Sequence, residues 1–169
     1  MSQSGSNIVH SVDEIGEVFD NRTVTASSQV GQILLDKGYI DQAQLDKALE
    51  EKKKRGERLL EVIQDLGQAT PEQCAEALAD RFNMPYVLLR DFEPNIQALA
   101  LVPYELATTH GILPLGFRKG RLVIALPDPT NLEAVNAVSF VSSYPVEPVV
   151  TSVRDINRLT EYFYSQLES

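Results

Sequence analysis

One feature constrains this chain more than any other: a repeat in its first half. Displacing the sequence by 29 positions lays Asp36 on Asp65, Gly38 on Gly67, Gln44 on Gln73, Ala48 on Ala77 and Leu49 on Leu78. Apolar pairs keep the same register, Val30 with Leu59, Ile33 with Val62 and Leu34 with Ile63. A duplication of this kind means two copies of one small supersecondary unit, neither able to bury its apolar face alone. Each copy reads as helix, glycine stop, polar cap, helix. Gly38 and Gly67 suit the left-handed residue that ends a helix. Asp41 and Thr70 precede Gln44 and Gln73 at capping-box spacing. Pro71 falls at a first helical position, where its missing N–H is harmless, and Gly56 closes the long second helix of copy one. The pattern predicts helices near 29–37, 41–55, 58–66 and 70–82, two stacked hairpins forming a helical subdomain over residues 28–83.

After Asn83 the periodicity changes. Pro85 leads into Tyr86-Val87-Leu88-Leu89, a short apolar run suited to a strand. Asn95 to Leu101 and Pro103 to about Thr109 read as short helices, the second broken by Gly111. Ile112 to Phe117 and Leu122 to Leu126 are strand-like runs joined by Arg118-Lys119-Gly120-Arg121, a hairpin with glycine in its turn. Asn131 caps a helix to about Ser142, with Leu132, Val135, Val138 and Phe140 or Val141 as its expected core face. Val146 to Val150 is a further strand, placed at an edge because Pro148 cannot donate to a ladder. Ser152 with Asp155 opens a last helix that carries Ile156, Leu159, Tyr162, Phe163 and Leu167. The fold class expected is α+β: a four-helix tandem hairpin repeat, then a small α+β subdomain over 84–169 with a sheet of three to four strands. Residues 1–27 read as a flexible N-terminal tail, Ser-rich and with a net charge of -3 from Arg22 against Asp13, Glu14, Glu17 and Asp20. Val12, Ile15, Val18 and Phe19 fall at helical spacing behind Ser11. That leaves two readings, a frayed tail or a short docking helix.

Composition excludes several classes of function. A single Cys, Cys74, rules out an internal disulfide framework and points to a reducing cytosol. Cys74, His10 and His110 are too scattered for a zinc cluster. Lys follows none of the nine glycines, so a phosphate-binding P-loop is missing. No run approaches the roughly 18 apolar residues of a membrane span, so direct membrane insertion is not expected. A net charge of -9, from 15 Lys and Arg against 24 Asp and Glu, argues against nucleic acid as a partner. No set of acid, base and nucleophile converges, so the chain is expected not to be an enzyme, with neither metal nor catalytic residues. Cys74 sits at an apolar repeat position and reads as a buried small hydrophobe, His110 as a helix-end cap, and Asp128, between two prolines, as a turn former. The run Lys52-Lys53-Lys54-Arg55, with Arg58, has two readings: cations facing an acidic partner or phosphate, or a solvated helix end balanced by Glu50, Glu51 and Glu57.

The tandem unit is followed by Met84-Pro85-Tyr86-Val87, Val102-Pro103-Tyr104-Glu105-Leu106-Ala107 and His110-Gly111-Ile112-Leu113-Pro114-Leu115. Then come Arg121-Leu122-Val123-Ile124-Ala125 with Asp128-Pro129, Val146-Glu147-Pro148-Val149-Val150 and Asp155-Ile156. Together these resemble the N-terminal domain of type II secretion and type IV pilus assembly ATPases, the GspE and PilB type with an MshEN-like tandem repeat. The resemblance covers about residues 29–164. It implies a non-catalytic docking and regulatory domain, because the Walker motifs of that family lie in other domains. It also implies a partner: the cytoplasmic domain of an inner-membrane secretion or pilus assembly protein, or a secretion or pilus ATPase. The location implied is cytoplasmic, with recruitment to the inner membrane through that partner.

In some relatives the tandem repeat binds cyclic di-GMP, so this dinucleotide is implied as a regulatory ligand, the alternative to a docking function. The family pattern opens each copy with Arg-Leu-Gly, continues with a Gly and two Leu, and closes on Gln. Copy one here offers Gln29, Val30, Gly31, Gly38, Leu45, Leu49 and Lys52; copy two offers Arg58, Leu59, Leu60, Gly67, Cys74, Leu78 and Arg81. The spacer Lys53 to Glu57 is kept. The apolar and glycine frame survives, while Gln29 stands for an Arg, Leu60 for a Gly, and Lys52 and Arg81 for Gln. Gln cannot grip a phosphate bidentately as Arg does. A Leu where Gly permits close approach can obstruct a ligand. Lys52, Arg58 and Arg81 still offer positive charge to a dianion.

Overall fold

The computed structural model describes residues 8–12, 15 and 30–168. The repeat forms four helices: α1 (Val30–Asp36), α2 (Gln42–Arg55), α3 (Leu59–Asp65) and α4 (Pro71–Phe82). The two copies share their punctuation down to single hydrogen bonds. Gly38 and Gly67 adopt φ +79 and +72. Around the first, Tyr39 N–H reaches Leu34 O at 3.0 Å; around the second, Gln68 N–H reaches Ile63 O at 3.0 Å. This is the paired closure of a glycine-ended helix. Asp41 and Thr70 each complete a reciprocal capping box with Gln44 and Gln73. Leu34, Ala48, Val62, Ile63, Cys74 and Ala77 form the buried centre of this unit. Tyr39 Oη donates to Glu76 at 2.9 Å, and Lys37 bridges Glu76 at 3.1 Å and Asp80 at 2.8 Å, tying α1 to α4.

The second unit is a five-stranded sheet in the order β1-β2-β5-β4-β3, built from β1 (Ile8–Val9), β2 (Tyr86–Val87), β3 (Leu113–Arg118), β4 (Arg121–Leu126) and β5 (Val146–Val150). Among the described residues only the β3–β4 hairpin is antiparallel. Its turn places Lys119 at φ 51 and Gly120 at φ 77, the paired positive angles that match strand twist in a two-residue loop. Helices α5 (Ile96–Ala100), α6 (Tyr104–His110), α7 (Leu132–Ser142) and α8 (Val153–Ser165) complete the unit. Its core gathers Leu99, Ile112, Leu113, Leu122, Ile124, Val149 and Phe163. A smaller cluster of Ala75, Ala79, Tyr86 and Val150 joins α4 to the sheet.

Three expectations need correction. First, part of the segment read as a flexible tail is structural: Ile8–Val9 pairs parallel with β2, and Val9 and Ile15 are 2% and 0% exposed in the core of the sheet unit. Val12 and Ile15 are helical; Val18 and Phe19 lie outside the described residues. Burial against a preformed sheet supplies what an isolated short helix lacks. This strand also brings the sheet to five. Second, β5 is the central strand. The Val150 N–H bonds Pro85 O on the β2 side, while Pro145 O and the Thr151 N–H face β4, so Pro148 turns its missing donor toward β2. Strand β2 pairs with β5 only at Val150, and nothing in that ladder stands opposite Pro148. Third, α7 buries Ala134, Val138 and Ser142, whereas Leu132 and Phe140 point outward, 65% and 88% exposed. In α8, Phe163 and Tyr164 are buried and Tyr162 is left exposed, as the spread of these rings around a helix requires.

Candidate functional site

The helical repeat and the sheet unit enclose a cleft of about 670 Å³. This volume lies within the range of small-molecule sites, about 300–1,000 Å³. One wall comes from the repeat, and its members arrive in equivalent pairs: Val30 with Leu59, Leu49 with Leu78, and Lys52 with Arg81, each pair 29 positions apart. Both copies of the duplication therefore contribute to one lining. Arg58, Leu60, Cys74 and Phe82 join the same wall. The opposite side is Pro127, Asp128 and Thr130, from the loop between β4 and α7, with Thr151 and Val153 at the start of α8.

Of the residues marked out by the sequence, Val30, Leu49, Lys52, Arg58, Leu59, Leu78 and Arg81 meet in this cleft. Gly31, Gly38, Leu45 and Gly67 do not. Gly38 and Gly67 are helix stops with nothing within 4 Å of an added Cβ. Gly31 is a packing glycine: a Cβ there would stand 2.7 Å from Leu45 Cδ1 and 3.1 Å from Leu59 Cδ2, and Leu45 is core beneath it. Its repeat counterpart, Leu60, instead lines the cleft. Gln29 lies outside the described residues.

The charges of the cleft are mixed. Arg58, at the N-cap of α3, pairs with the Asp128 carboxylate across the cleft. The other Asp128 oxygen accepts the Thr130 N–H at 2.9 Å, so the residue forms the expected turn and the cross-cleft contact together. Arg81 lies over the Phe82 ring, 5.2 Å from its centroid. Lys52 makes no ion pair among the described residues. Glu61 and Asp65 stand at the same rim. The last two residues of the basic run are balanced: Lys54 meets Glu51 at 3.8 Å, and Arg55 reaches Glu51, Glu57 and Asp65 at 3.4, 3.6 and 3.3 Å. Burial, and then the charge of Glu72, pushes the Cys74 thiol up to about 12, so it faces the cleft as an apolar group. Such a site offers two apolar steps, with three cations set against the carboxylates of Glu61, Asp65 and Asp128. The α+β side of the cleft was illegible from sequence, because Arg58 and Asp128 are 70 residues apart and no local pattern links them.

Among the described residues, no group of three His, Cys, Asp or Glu side chains is gathered for a metal, and no helix is long and apolar enough to cross a membrane. The MshEN domain family model matches residues 82–169. The type IV pilus assembly ATPase PilB of Myxococcus xanthus is 30% identical over 140 residues, 83% of this chain and 25% of that protein. Type II secretion system protein E of Xanthomonas campestris pv. campestris is 26% identical over 149 residues, 84% of this chain and 26% of that protein. The chain thus spans about a quarter of the length of these relatives. A solved structure of MshE with cdg (cyclic di-GMP) superposes with a TM-score of 0.68 at 28% identity, covering 81% of this chain and 99% of that one.

Proposed function

The chain belongs to the MshEN domain family, and from that premise we propose that it is a non-catalytic regulatory domain whose cleft takes cyclic di-GMP. One observation supports the reading: three pairs of repeat-equivalent residues line one cleft, and a cyclic dinucleotide presents two like halves to be met. The apolar steps Val30–Leu59 and Leu49–Leu78 offer surfaces for the two bases, while Lys52, Arg58 and Arg81 offer charge to the two phosphates. The pairing of Arg58 with Asp128 and the presence of Leu60 in the wall both oppose tight binding, so the expected affinity is modest. Titration calorimetry of the purified chain with cyclic di-GMP should saturate at one site in the tens of micromolar. Removing the positive charge at Arg81 or Lys52 should weaken it about tenfold to a hundredfold, the range of one hydrogen bond to a charged group. Arg58→Ala should weaken it more than Gln29→Ala. No saturation under those conditions would remove this reading.

A second reading is supported by the aromatic ring of Phe140, 88% exposed on a helix of the sheet unit. It is docking to a protein of a secretion or pilus machine, either the cytoplasmic domain of an inner-membrane assembly protein or the ATPase itself. Such a partner would hold the chain on the cytoplasmic side of the inner membrane. Binding of a purified partner domain to immobilised chain, lost on Phe140→Asp, tests it; equal binding by both forms argues against this face.

A further inference from the structure

We propose that the outward face of α7, with the tip of the β3–β4 hairpin beside it, is the docking surface, and that its partner is a protein presenting an apolar cleft rimmed by carboxylates. The inference rests on the docking reading and deepens it. In α7 the core side is set by Ala134, Val138 and Ser142 at successive fourth positions. Leu132 and Phe140 fall on the opposite side of the cylinder. They stand 65% and 88% exposed, with Val141 at 39% and Tyr144 at 36% just beyond. An aromatic ring left this open buries little surface in the fold. A cluster of such groups marks a contact surface.

Charge identifies what the surface fits. Tyr144 packs on Phe117, ring centroids 5.2 Å apart, and the Leu122 N–H bonds Pro145 O at 2.8 Å. These contacts bring the hairpin tip, with Lys119 and Arg121, beside the C-terminal end of α7. Both cations are exposed and neither makes an ion pair among the described residues. No Asp or Glu occurs between Glu105 and Asp128; on α7 the exposed Glu133 lies in the first turn, two turns from the hairpin end, and between it and Asp155 the only carboxylate is Glu147. Glu147 is 9% exposed and gripped by Arg118 at 2.8 and 3.2 Å, so it leaves the other two cations uncompensated. A chain of net charge -9 thus carries two unpaired cations near the end of the helix that bears Phe140, the most exposed ring among the described residues. Aromatic and cationic groups together are what protein contacts select, with acidic complements steering the encounter. An anionic bilayer fits less well, because two cations and one ring give weak adsorption while the rest of the chain is repelled.

The test places the photo-crosslinker p-benzoylphenylalanine at position 140, and in separate chains at positions 162 and 49, in cells that naturally carry this chain. The expected result is an adduct from position 140 whose mapped partner site is apolar and flanked by Asp or Glu. The adduct should fall at least about fivefold when Lys119→Glu and Arg121→Glu are combined, as loss of two close charge contacts requires. Position 140 is solvent-facing, and an unchanged far-UV spectrum of each purified variant shows that the fold is kept. An adduct to lipid, to a second copy of the chain, or to a partner indifferent to charge reversal would overturn the proposal. Adducts to a secretion or pilus protein from position 162 or 49 but not 140 would sink this surface and leave docking standing. Adducts from none of the three would sink both.

Discussion

At the scale of single residues, Gly38 and Gly67 test the duplication most directly. Both stand at positive φ in equivalent helix stops, and an added Cβ meets nothing at either, so the penalty of a side chain is purely conformational. Gly38→Ala and Gly67→Ala should therefore each lose a similar amount, about 1–2 kcal/mol. Thermal melts would register this as roughly 2–4 °C per kcal/mol. Losses that differ severalfold would mean that the two stops are not equivalent. Gly31 is different in kind, since it has ordinary helical geometry and is held small by the ends of Leu45 and Leu59. The four glycines of the repeat region, Gly31 and the stops Gly38, Gly56 and Gly67, thus have two physical reasons, and only the stops are readable from spacing.

Between elements, the contact most open to titration is the one that fastens α1 to α4. Burial works against the charge on Lys37, but the hydrogen bonds and fields of Asp80 and Glu76 outweigh it, and its pKa is raised. Burial also raises Asp80, the pull of Lys37 notwithstanding. The signs follow. A raised lysine stabilises the fold fully below the ordinary lysine range, and that part is lost as pH rises through its raised pKa. Asp80 protonates at a higher pH than an ordinary aspartate, and the attraction fades as pH falls through that point. Lys37→Met should lose about 1–2 kcal/mol near neutral pH, the scale of a partly screened, hydrogen-bonded pair. Denaturant titrations at several pH values should show the gap to the parent narrowing on acidification and again above the lysine range. A gap independent of pH would assign the loss to packing of the lysine stem.

For the whole molecule, the question is whether repeat and sheet unit unfold separately. The cluster of Ala75, Ala79, Tyr86 and Val150 runs through both, and β1 and Ile15 insert the N-terminal segment into the sheet core. One cooperative transition is expected. Ile15→Ala should lower it by about 2–5 kcal/mol without splitting it, the range for emptying a fully buried isoleucine site. Two resolved transitions by circular dichroism and tyrosine fluorescence would contradict this. The sequence by itself determined the elements whose signals are local: the four repeat helices with their capping boxes and glycine stops, the hairpin turn at Lys119-Gly120, and the mixed unit after Asn83. Of the candidate ligand residues marked by the repeat, Val30, Leu49, Lys52, Arg58, Leu59, Leu78 and Arg81 line the cleft, and Gly31, Gly38, Leu45 and Gly67 do not. Tertiary structure alone decided the rest. The central place of β5, the fifth strand at Ile8–Val9, the outward turn of Phe140 and the meeting of Arg58 with Asp128 all depend on partners far along the chain. Periodicity reports which residues share a face, but only packing decides which face is covered and by what.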